Sequence, residues 1–169
     1  MPPKRSAGIL LFRQVEAGVE VLLGHMGGPF WARKDAAAWT AVKGELDPDE
    51  APEAAARREF TEELGLPAPS GDYVPLGEIR QSGGKTVTVW AVEADLNPAD
   101  VVPGTFEMEW PPRSGKRQEF PELDRVEWFP VDVATEKIIA GQRPFLDRLT
   151  EHLKTSWRRS HPGLDDELG

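Results

Sequence analysis

Residues 44–66 read GELDPDEAPEAAARREFTEELGL, and this stretch decides how the rest of the chain is interpreted. Pro52, eight residues after Gly44, and Gly65, near the end of the stretch, are typical helix boundary residues. We therefore predict a helix over residues 50–64, preceded by a loop.

Three glutamates of this helix lie on one face, because residues three and four positions apart are neighbours on a helix. They are Glu59, Glu62 and Glu63. These carboxylates repel one another, and they lie in the last turns, where the helix dipole favours cations. Each of these effects costs a few tenths to about 1 kcal/mol. A bound divalent cation would reverse their sign, and an all-oxygen ligand set suits Mg²⁺ or Mn²⁺.

The alternative is a solvent-exposed acidic helix, in which Glu53 and Arg57 would form an ordinary pair one turn apart. That interpretation is adequate for any single glutamate. It does not explain the glycines and the apolar positions of the stretch, so we favour the metal site.

The whole stretch resembles the signature box of the Nudix hydrolases, written GX5EX7REUXEEXGU with U a bulky apolar residue. Every defined position is filled, by Gly44, Glu50, Arg58, Glu59, Phe60, Glu62, Glu63, Gly65 and Leu66. The resemblance implies an α/β (α+β) fold, an α/β/α sandwich with a mixed β-sheet. It also implies a metal-dependent pyrophosphohydrolase that cleaves a phosphoanhydride bond in a nucleoside diphosphate linked to another group.

The resemblance also implies roles for individual box residues. The positions expected to bind Mg²⁺ or Mn²⁺ are the side chains of Glu59, Glu62 and Glu63 and the backbone carbonyl of Gly44. Either Glu62 or Glu63 can instead be catalytic, by orienting or deprotonating the water, and the sequence leaves this open. Glu50 and Arg58 are expected to be structural, with Arg58 holding the loop against the helix.

Outside the box, many members of this family use a further glutamate from a later loop, as a base or as another ligand. The candidates here are Glu107, Glu109, Glu119 and Glu122. We favour Glu119 as catalytic, because residues 111–122 are polar and contain Gly115, which predicts a long functional loop. The alternative is that Glu119 is an ordinary surface carboxylate.

Substrate contacts are expected from residues that precede the box. Phe30 and Trp31 can stack on a nucleobase, and Arg33, Lys34 and Lys43 can contact phosphates. The alternative for the two aromatic side chains is packing in the core or in the loop itself.

The residues from Trp39 to Glu45 resemble the diadenosine polyphosphate hydrolase branch of the family more than the triphosphate-sanitising branch. Val42 stands where the family often has a proline before Lys43. The group linked to the nucleoside diphosphate is left open by the sequence.

The composition favours a cytoplasmic protein and is compatible with a nucleotide as ligand. The chain has 169 residues, a net charge of −9 and no cysteine, which allows one core and no disulfides. The acidity argues against a nucleic-acid polymer or an anionic membrane as partner. No apolar run reaches the roughly 18 residues that span a bilayer. We expect a single domain over residues 1–160 and a flexible tail over residues 161–169, with the oligomeric state left open.

The order of predicted elements is compatible with the sandwich. Apolar runs bounded by turn residues predict strands, and the two last apolar patterns have helical spacing. The predicted strands cover residues 6–12, 19–24, 39–42, 76–80, 86–94, 106–110 and 126–130, and the predicted later helices cover residues 131–140 and 144–156.

The alternative function is a nucleotide-binding or regulatory module of the same fold without turnover. The three box glutamates argue for turnover, because binding alone does not need water-activating carboxylates. A third possibility, an acidic helical interaction domain, does not explain Gly44 or the spacing of the box.

Overall fold

The computed structural model describes residues 4–163, which fold around a mixed β-sheet. In these residues the strands and helices follow one another as β1 Arg5–Val15, β2 Gly18–Met26, β3 Trp39–Thr40, β4 Val42–Glu45, α1 Pro52–Leu64, β5 Val74–Arg80, β6 Thr86–Glu93, β7 Thr105–Glu109, β8 Arg117–Pro121, β9 Leu123–Pro130, α2 Val131–Lys137 and α3 Arg143–Ser160.

Strand β1 is the centre of the sheet. It pairs antiparallel with β2 and β4 and parallel with β6. Strand β5 pairs with β6, and both β3 and β9 pair with β2. Parallel and antiparallel pairs therefore occur in one sheet, as the sequence predicts. Strands β7 and β8 form a separate hairpin.

The two faces of β1 are covered by different helices, because successive side chains of a strand point to opposite faces. Leu10 and Phe12 belong to the core cluster that contains Phe145 of α3. Ile9 and Leu11 belong to the cluster that contains Phe60 of α1. Burial on both faces explains the continuous apolar run of this strand, and it confirms the predicted α/β/α sandwich.

Helix α1 has the boundaries that its proline and glycine predict. Pro52 is in the first turn, where its missing N–H leaves no donor unsatisfied. Gly65 ends the helix in the left-handed region, with φ of 67°, and its N–H donates to the Thr61 carbonyl at 2.8 Å. The helix begins two residues later than predicted, since Glu50 closes a turn onto Asp47.

The last carbonyls of α1 find partners in the segment that leads into β7. Val102 donates to the Leu64 carbonyl at 2.8 Å, and Gly104 donates to the Glu63 carbonyl at 3.2 Å. Glu122 in turn donates its backbone N–H to the Gly104 carbonyl at 2.8 Å. Carbonyl groups at a helix end otherwise lack partners. These bonds therefore fix Glu122 beside the end of α1.

The prediction of one long loop over residues 111–122 is wrong for its second half. Residues Arg117–Pro121 form β8, which pairs antiparallel with β7 and places Phe120 opposite Phe106. Strand β8 has one large apolar residue among charged and polar ones, so its sequence lacks the usual strand signal.

Two other expectations concern the ends of the chain and the membrane. Of the predicted tail, only residues 161–163 belong to the described part of the chain, and residues 164–169 lie outside it. Within residues 4–163, no helix is long and apolar enough to cross a membrane.

Candidate active site

A polar pocket of about 530 Å³ opens where the start of β1, the end of β4, the last turns of α1 and the base of the β7–β8 hairpin meet. Gly44, whose carbonyl is a predicted ligand, is part of its wall. The charged residues that line the pocket are Lys4, Lys43, Glu45, Glu59, Glu62, Glu63, Lys85 and Glu122.

A larger pocket of about 760 Å³ lies at the other end of β1, where Gln14 and Val19 face Leu153 and Trp157 of α3. Among the described residues that line it, Asp132 is the one acidic side chain. It therefore has no cluster of carboxylates, and we take the smaller polar pocket as the candidate active site.

Arg58 joins the loop after β4 to the acidic face of α1. Its Nε and Nη2 each donate to the Glu50 carboxylate at 2.8 Å, and Nη2 also donates to the Glu45 carbonyl at 3.1 Å. Its Nη1 donates to the carboxylates of Glu59 and Glu62, both at 3.0 Å. The hydrogen bonds from Arg58 lower the pKa of Glu50 to about 2.

Glu59 packs directly on the backbone of Gly44, which β4 holds opposite Ala7 of β1. A methyl group built on Gly44 would lie 2.0 Å from Oε2 of Glu59, closer than real atoms approach. A larger residue at position 44 would therefore displace the Glu59 carboxylate. Glu59 is only 8% exposed, and this burial raises the pKa of its carboxyl group.

Glu63 and Glu122 add two more carboxyl groups to the lining of the pocket. Burial, and then the charge of Glu122, raise the pKa of Glu63 to about 8. Burial also raises the pKa of Glu122, while the nearby Lys43 opposes this shift. A cation placed near these carboxyl groups would favour their ionised forms.

The chemistry of these ligands fits a divalent cation, since carboxylate and carbonyl oxygens are the usual ligands of Mg²⁺ and Mn²⁺. Within residues 4–163, no three His, Asp or Glu side chains are grouped tightly enough to hold a metal as they stand. In this arrangement Nη1 of Arg58 occupies one oxygen atom of Glu59 and one of Glu62. A metal would have to compete with this guanidinium for both carboxylates.

Of the four glutamates considered outside the box, Glu122 lines the pocket and Glu119 does not, so the catalytic role of Glu119 stays a prediction. Glu119 lies in β8, exposed and opposite Glu107, and does not line the pocket. Glu107 pairs with Arg117 at 3.6 Å, and Glu109 is exposed near the tip of the hairpin. The sequence pattern favours Glu119 and gives no sign of Glu122, because the position of Glu122 depends on backbone hydrogen bonds at the end of α1.

Of the predicted substrate contacts, Lys43 lines the pocket and the aromatic pair does not. Phe30 is 60% exposed and packs edge-on against Trp110, with ring centroids 5.4 Å apart. Trp31 packs partly against the core, with the Lys34 ammonium group 5.0 Å from its ring centroid. Arg33 is exposed outside the pocket lining.

The loop that carries these residues is attached to the sheet through a buried histidine. His25 contacts the Asp124 carboxylate through Nδ1 at 2.9 Å and the Lys34 carbonyl through Nε2 at 2.6 Å. This loop is therefore fixed beside β2 and β9, and the roles of Phe30, Trp31, Arg33 and Lys34 in binding stay predictions.

Two lysines of the pocket were not among the predicted site residues. Lys4 precedes β1, and Lys85 precedes β6, more than 80 residues later in the chain. The parallel pairing of these strands brings them together, with Arg5 opposite Thr86. Burial, followed by repulsion from Lys85, lowers the pKa of Lys43. No local sequence signal indicates this arrangement.

Comparison with known protein families gives a match over most of the chain. The model of the NUDIX domain family matches residues 2–149 of the chain. No curated protein matches the sequence.

Several solved structures have a similar fold. The C. elegans Ap4A hydrolase in a binary complex has a TM-score of 0.63 and 21% identity, over 90% of this chain and 98% of that chain. The NUDIX domain of Shewanella oneidensis NrtR complexed with ADP ribose has a TM-score of 0.61 and 16% identity, over 90% of each chain. RenU, a Nudix hydrolase from M. smegmatis, has a TM-score of 0.58 and 25% identity, over 92% of this chain and 88% of that chain.

Arg58 and its neighbour Arg57 offer a matched test of the contacts around the acidic cluster. Arg58→Ala removes hydrogen bonds to three carboxylates and should lower the free energy of unfolding by about 1–3 kcal/mol. Arg57→Ala removes an exposed pair with Glu53, 3.9 Å apart, and a contact with the Tyr73 ring, which should cost less than about 1 kcal/mol. Urea unfolding of both variants measures the difference, and equal losses would contradict the central position of Arg58.

The raised pKa of Glu63 predicts how the metal-free protein responds to pH. The folded state holds the Glu63 proton up to about pH 8, whereas the unfolded state releases it near its ordinary value of 4.5. The contribution of the Glu63 carboxyl group to stability is therefore fully present below about pH 4.5 and is lost as the pH rises through about 8. Glu63→Gln should therefore flatten the fall of the melting temperature between pH 5 and 8, while Glu109→Gln should not. Parallel curves for wild type and Glu63→Gln would refute the assignment.

Proposed function

The chain belongs to the NUDIX domain family, a family of pyrophosphohydrolases, and we propose that it hydrolyses a phosphoanhydride bond in a nucleoside diphosphate linked to another group. The family and the sandwich fold are those that the signature box predicts. We further propose that the reaction takes place in the polar pocket and depends on Mg²⁺ or Mn²⁺.

The observation that carries this proposal is the pairing of opposite charges within one pocket. Glu59, Glu62, Glu63 and Glu122 line the part formed by α1 and the hairpin base. Lys43 lies close enough to Glu63 and Glu122 to act on their charges. A metal complex of a phosphate chain needs both kinds of group: oxygen ligands for the cation and donors for the phosphoryl oxygens.

Specific roles follow from these positions. Glu59, Glu62 and Glu63 and the carbonyl of Gly44 would hold the cation. A bound divalent cation neutralises charge on phosphoryl oxygens and helps to activate water. To hold a cation, the carboxylates of Glu59 and Glu62 would have to leave Arg58, whose bonds to Glu50 would still attach the loop to α1.

The proton of the attacking water needs an acceptor within the pocket. Glu122 is our choice, because it lies beside Glu63 and is not bonded to Arg58. Burial raises the pKa of Glu122, which makes the carboxylate a better base near neutral pH. Lys43 donates to a phosphoryl oxygen and balances the negative charge that develops there.

The similar proteins support a nucleotide as the substrate. One is an Ap4A hydrolase, and another is a NUDIX domain complexed with ADP ribose. Ap4A and ADP ribose each contain a nucleoside diphosphate linked to a further group. The resemblance of residues 39–45 to the diadenosine polyphosphate hydrolase branch favours the first kind.

Turnover of defined nucleotides tests the proposal directly. The protein is incubated with Ap4A, ATP or ADP-ribose and either Mg²⁺ or Mn²⁺, and the products are separated by chromatography. At least one of the three compounds should be cleaved. Glu62→Gln and Glu63→Gln should each reduce kcat at least about 100-fold, because neutralisation of phosphoryl charge is worth several kcal/mol. Glu107→Gln, on the exposed hairpin, is the control and should keep kcat.

Binding of a nucleotide without any turnover would instead indicate a nucleotide-binding module. Near wild-type kcat in both Glu62→Gln and Glu63→Gln would remove the box carboxylates from the mechanism.

The two remaining candidates for the base can be separated by their pH profiles. Glu122→Gln should reduce kcat at least about 10-fold and flatten the acidic limb of the kcat profile, since a general base contributes about 10²–10⁴. Glu119→Gln should change kcat less than about 3-fold, because the side chain lies outside the pocket. The reverse result would mean that the hairpin moves when substrate binds and brings Glu119 to the water.

A further inference from the structure

Strand β9 has one residue more than its partner β2 close to the candidate active site. His25 of β2 pairs with Arg125. The next residue of β2, Met26, pairs with Leu123 and not with Asp124. Asp124 is therefore the extra residue of a β-bulge. A bulge bends its strand and changes the direction of the neighbouring side chains, and bulges often lie next to active sites.

The side chain of Asp124 is held by His25, which is completely buried. Nδ1 of the ring lies 2.9 Å from one carboxylate oxygen of Asp124 and 3.0 Å from the other. Nε2 lies 2.6 Å from the Lys34 carbonyl oxygen, which can only accept, so Nε2 donates. The ring of Trp39 packs edge-on against the imidazole, with ring centroids 5.0 Å apart. A buried contact of this kind is costly to lose, because its partners are left without a hydrogen bond.

The backbone of Glu122 is held from two sides. Its N–H donates to the Gly104 carbonyl at 2.8 Å, and its carbonyl accepts from the Gly27 N–H at 2.9 Å. A methyl group built on Gly27 would lie 1.9 Å from the Pro121 carbonyl oxygen, so only glycine lets the two segments approach this closely. The end of β2 and the end of α1 therefore fix the backbone of Glu122 together.

His25 is connected to Glu122 by two short routes along the chain. Asp124, its carboxylate partner, comes two residues after Glu122, and Gly27 comes two residues after His25. The bond from His25 to Lys34 also holds the loop that begins at Gly27. His25, Gly27 and Asp124 lie outside the lining of the pocket. An effect of His25 on the pocket must therefore pass through the backbone.

Resting on the proposed function, we propose that His25 is a positioning residue for the reaction, which holds the carboxyl group of Glu122 in the pocket through Asp124. The contact with His25 fixes the bulge against β2, and the bulge sets the direction in which the Glu122 side chain leaves the strand. Glu122 is the proposed acceptor of the proton from water. Loss of the contact should therefore slow the reaction more than it weakens substrate binding.

Two substitutions of His25 separate its two contacts. The amide nitrogen of asparagine is as many bonds from Cα as Nδ1, and that of glutamine is as many bonds away as Nε2. His25→Asn can therefore still donate to Asp124, whereas His25→Gln can donate only to Lys34. We expect His25→Gln to lower kcat at least about 10-fold and to change KM less than about 3-fold.

The comparison variants should behave differently. His25→Asn should lower kcat less than about 3-fold, because it keeps the contact with Asp124. His152→Gln, at an exposed position of α3, is the control and should keep kcat. Equal losses of kcat in His25→Asn and His25→Gln would overturn the route through Asp124.

A double-mutant cycle shows whether His25 acts through Glu122. In the Glu122→Gln background, His25→Gln should lower kcat less than about 2-fold, because the carboxylate that it positions is already absent. A merely structural role would lower kcat by the same factor in both backgrounds, and that result would overturn the proposal. Asp124→Ala removes the same contact from a side chain that is 28% exposed, so it replaces His25→Gln if that variant does not fold. Wild-type kcat in Asp124→Ala would also overturn the proposal.

Amide hydrogen exchange tests the positioning without turnover. In His25→Gln, the protection of the Gly27 and Glu122 amides should fall at least about 10-fold more than that of the β6 amides, because local opening breaks only the bonds that His25 supports. An equal fall in β6, or no fall at all, would overturn the proposal. If the wild type cleaves no nucleotide, the proposed function fails, while the protection of these two amides still decides whether His25 holds Glu122.

Discussion

The guanidinium of Arg58 is the contact on which the candidate site depends. It is bonded at once to Glu50 in the loop, to the Glu45 carbonyl at the end of β4, and to Glu59 and Glu62 on α1. Without the Arg58 guanidinium, the carboxylates of Glu50, Glu59 and Glu62 would lose the positive charge that they share. The same contact balances part of the negative charge on the acidic face of α1.

The sandwich brings together groups that are far apart in the sequence. Strand β1 is paired on both sides, so its first residues lie next to the Gly44 region of β4 and the Lys85 end of β6. Helix α1 covers the face of β1 formed by Ile9 and Leu11. The acidic and basic parts of the pocket therefore come from separate layers of one rigid core, which fixes their spacing before any ligand binds.

Local patterns in the sequence predict the box. The positions of the other pocket residues depend on long-range strand pairing, which local patterns do not show. Spacing alone predicts that Glu59, Glu62 and Glu63 share a helix face, and the glycine and proline signals give the ends of α1. Glu122 and Lys85 reach the pocket through backbone hydrogen bonds and strand register, which no local pattern encodes. Phe30 is close to the box in the sequence but does not line the pocket, and its role in binding stays a prediction.

The hydrogen bonds that run from the end of α1 through Gly104 to Glu122 separate the hairpin into two functional parts. The base of the hairpin is bonded to the helix, which keeps Glu122 beside the end of α1. The residues at the tip of the hairpin take no part in these hydrogen bonds. The tip around Trp110 can therefore differ in length or charge without moving the backbone of Glu122 away from the end of α1.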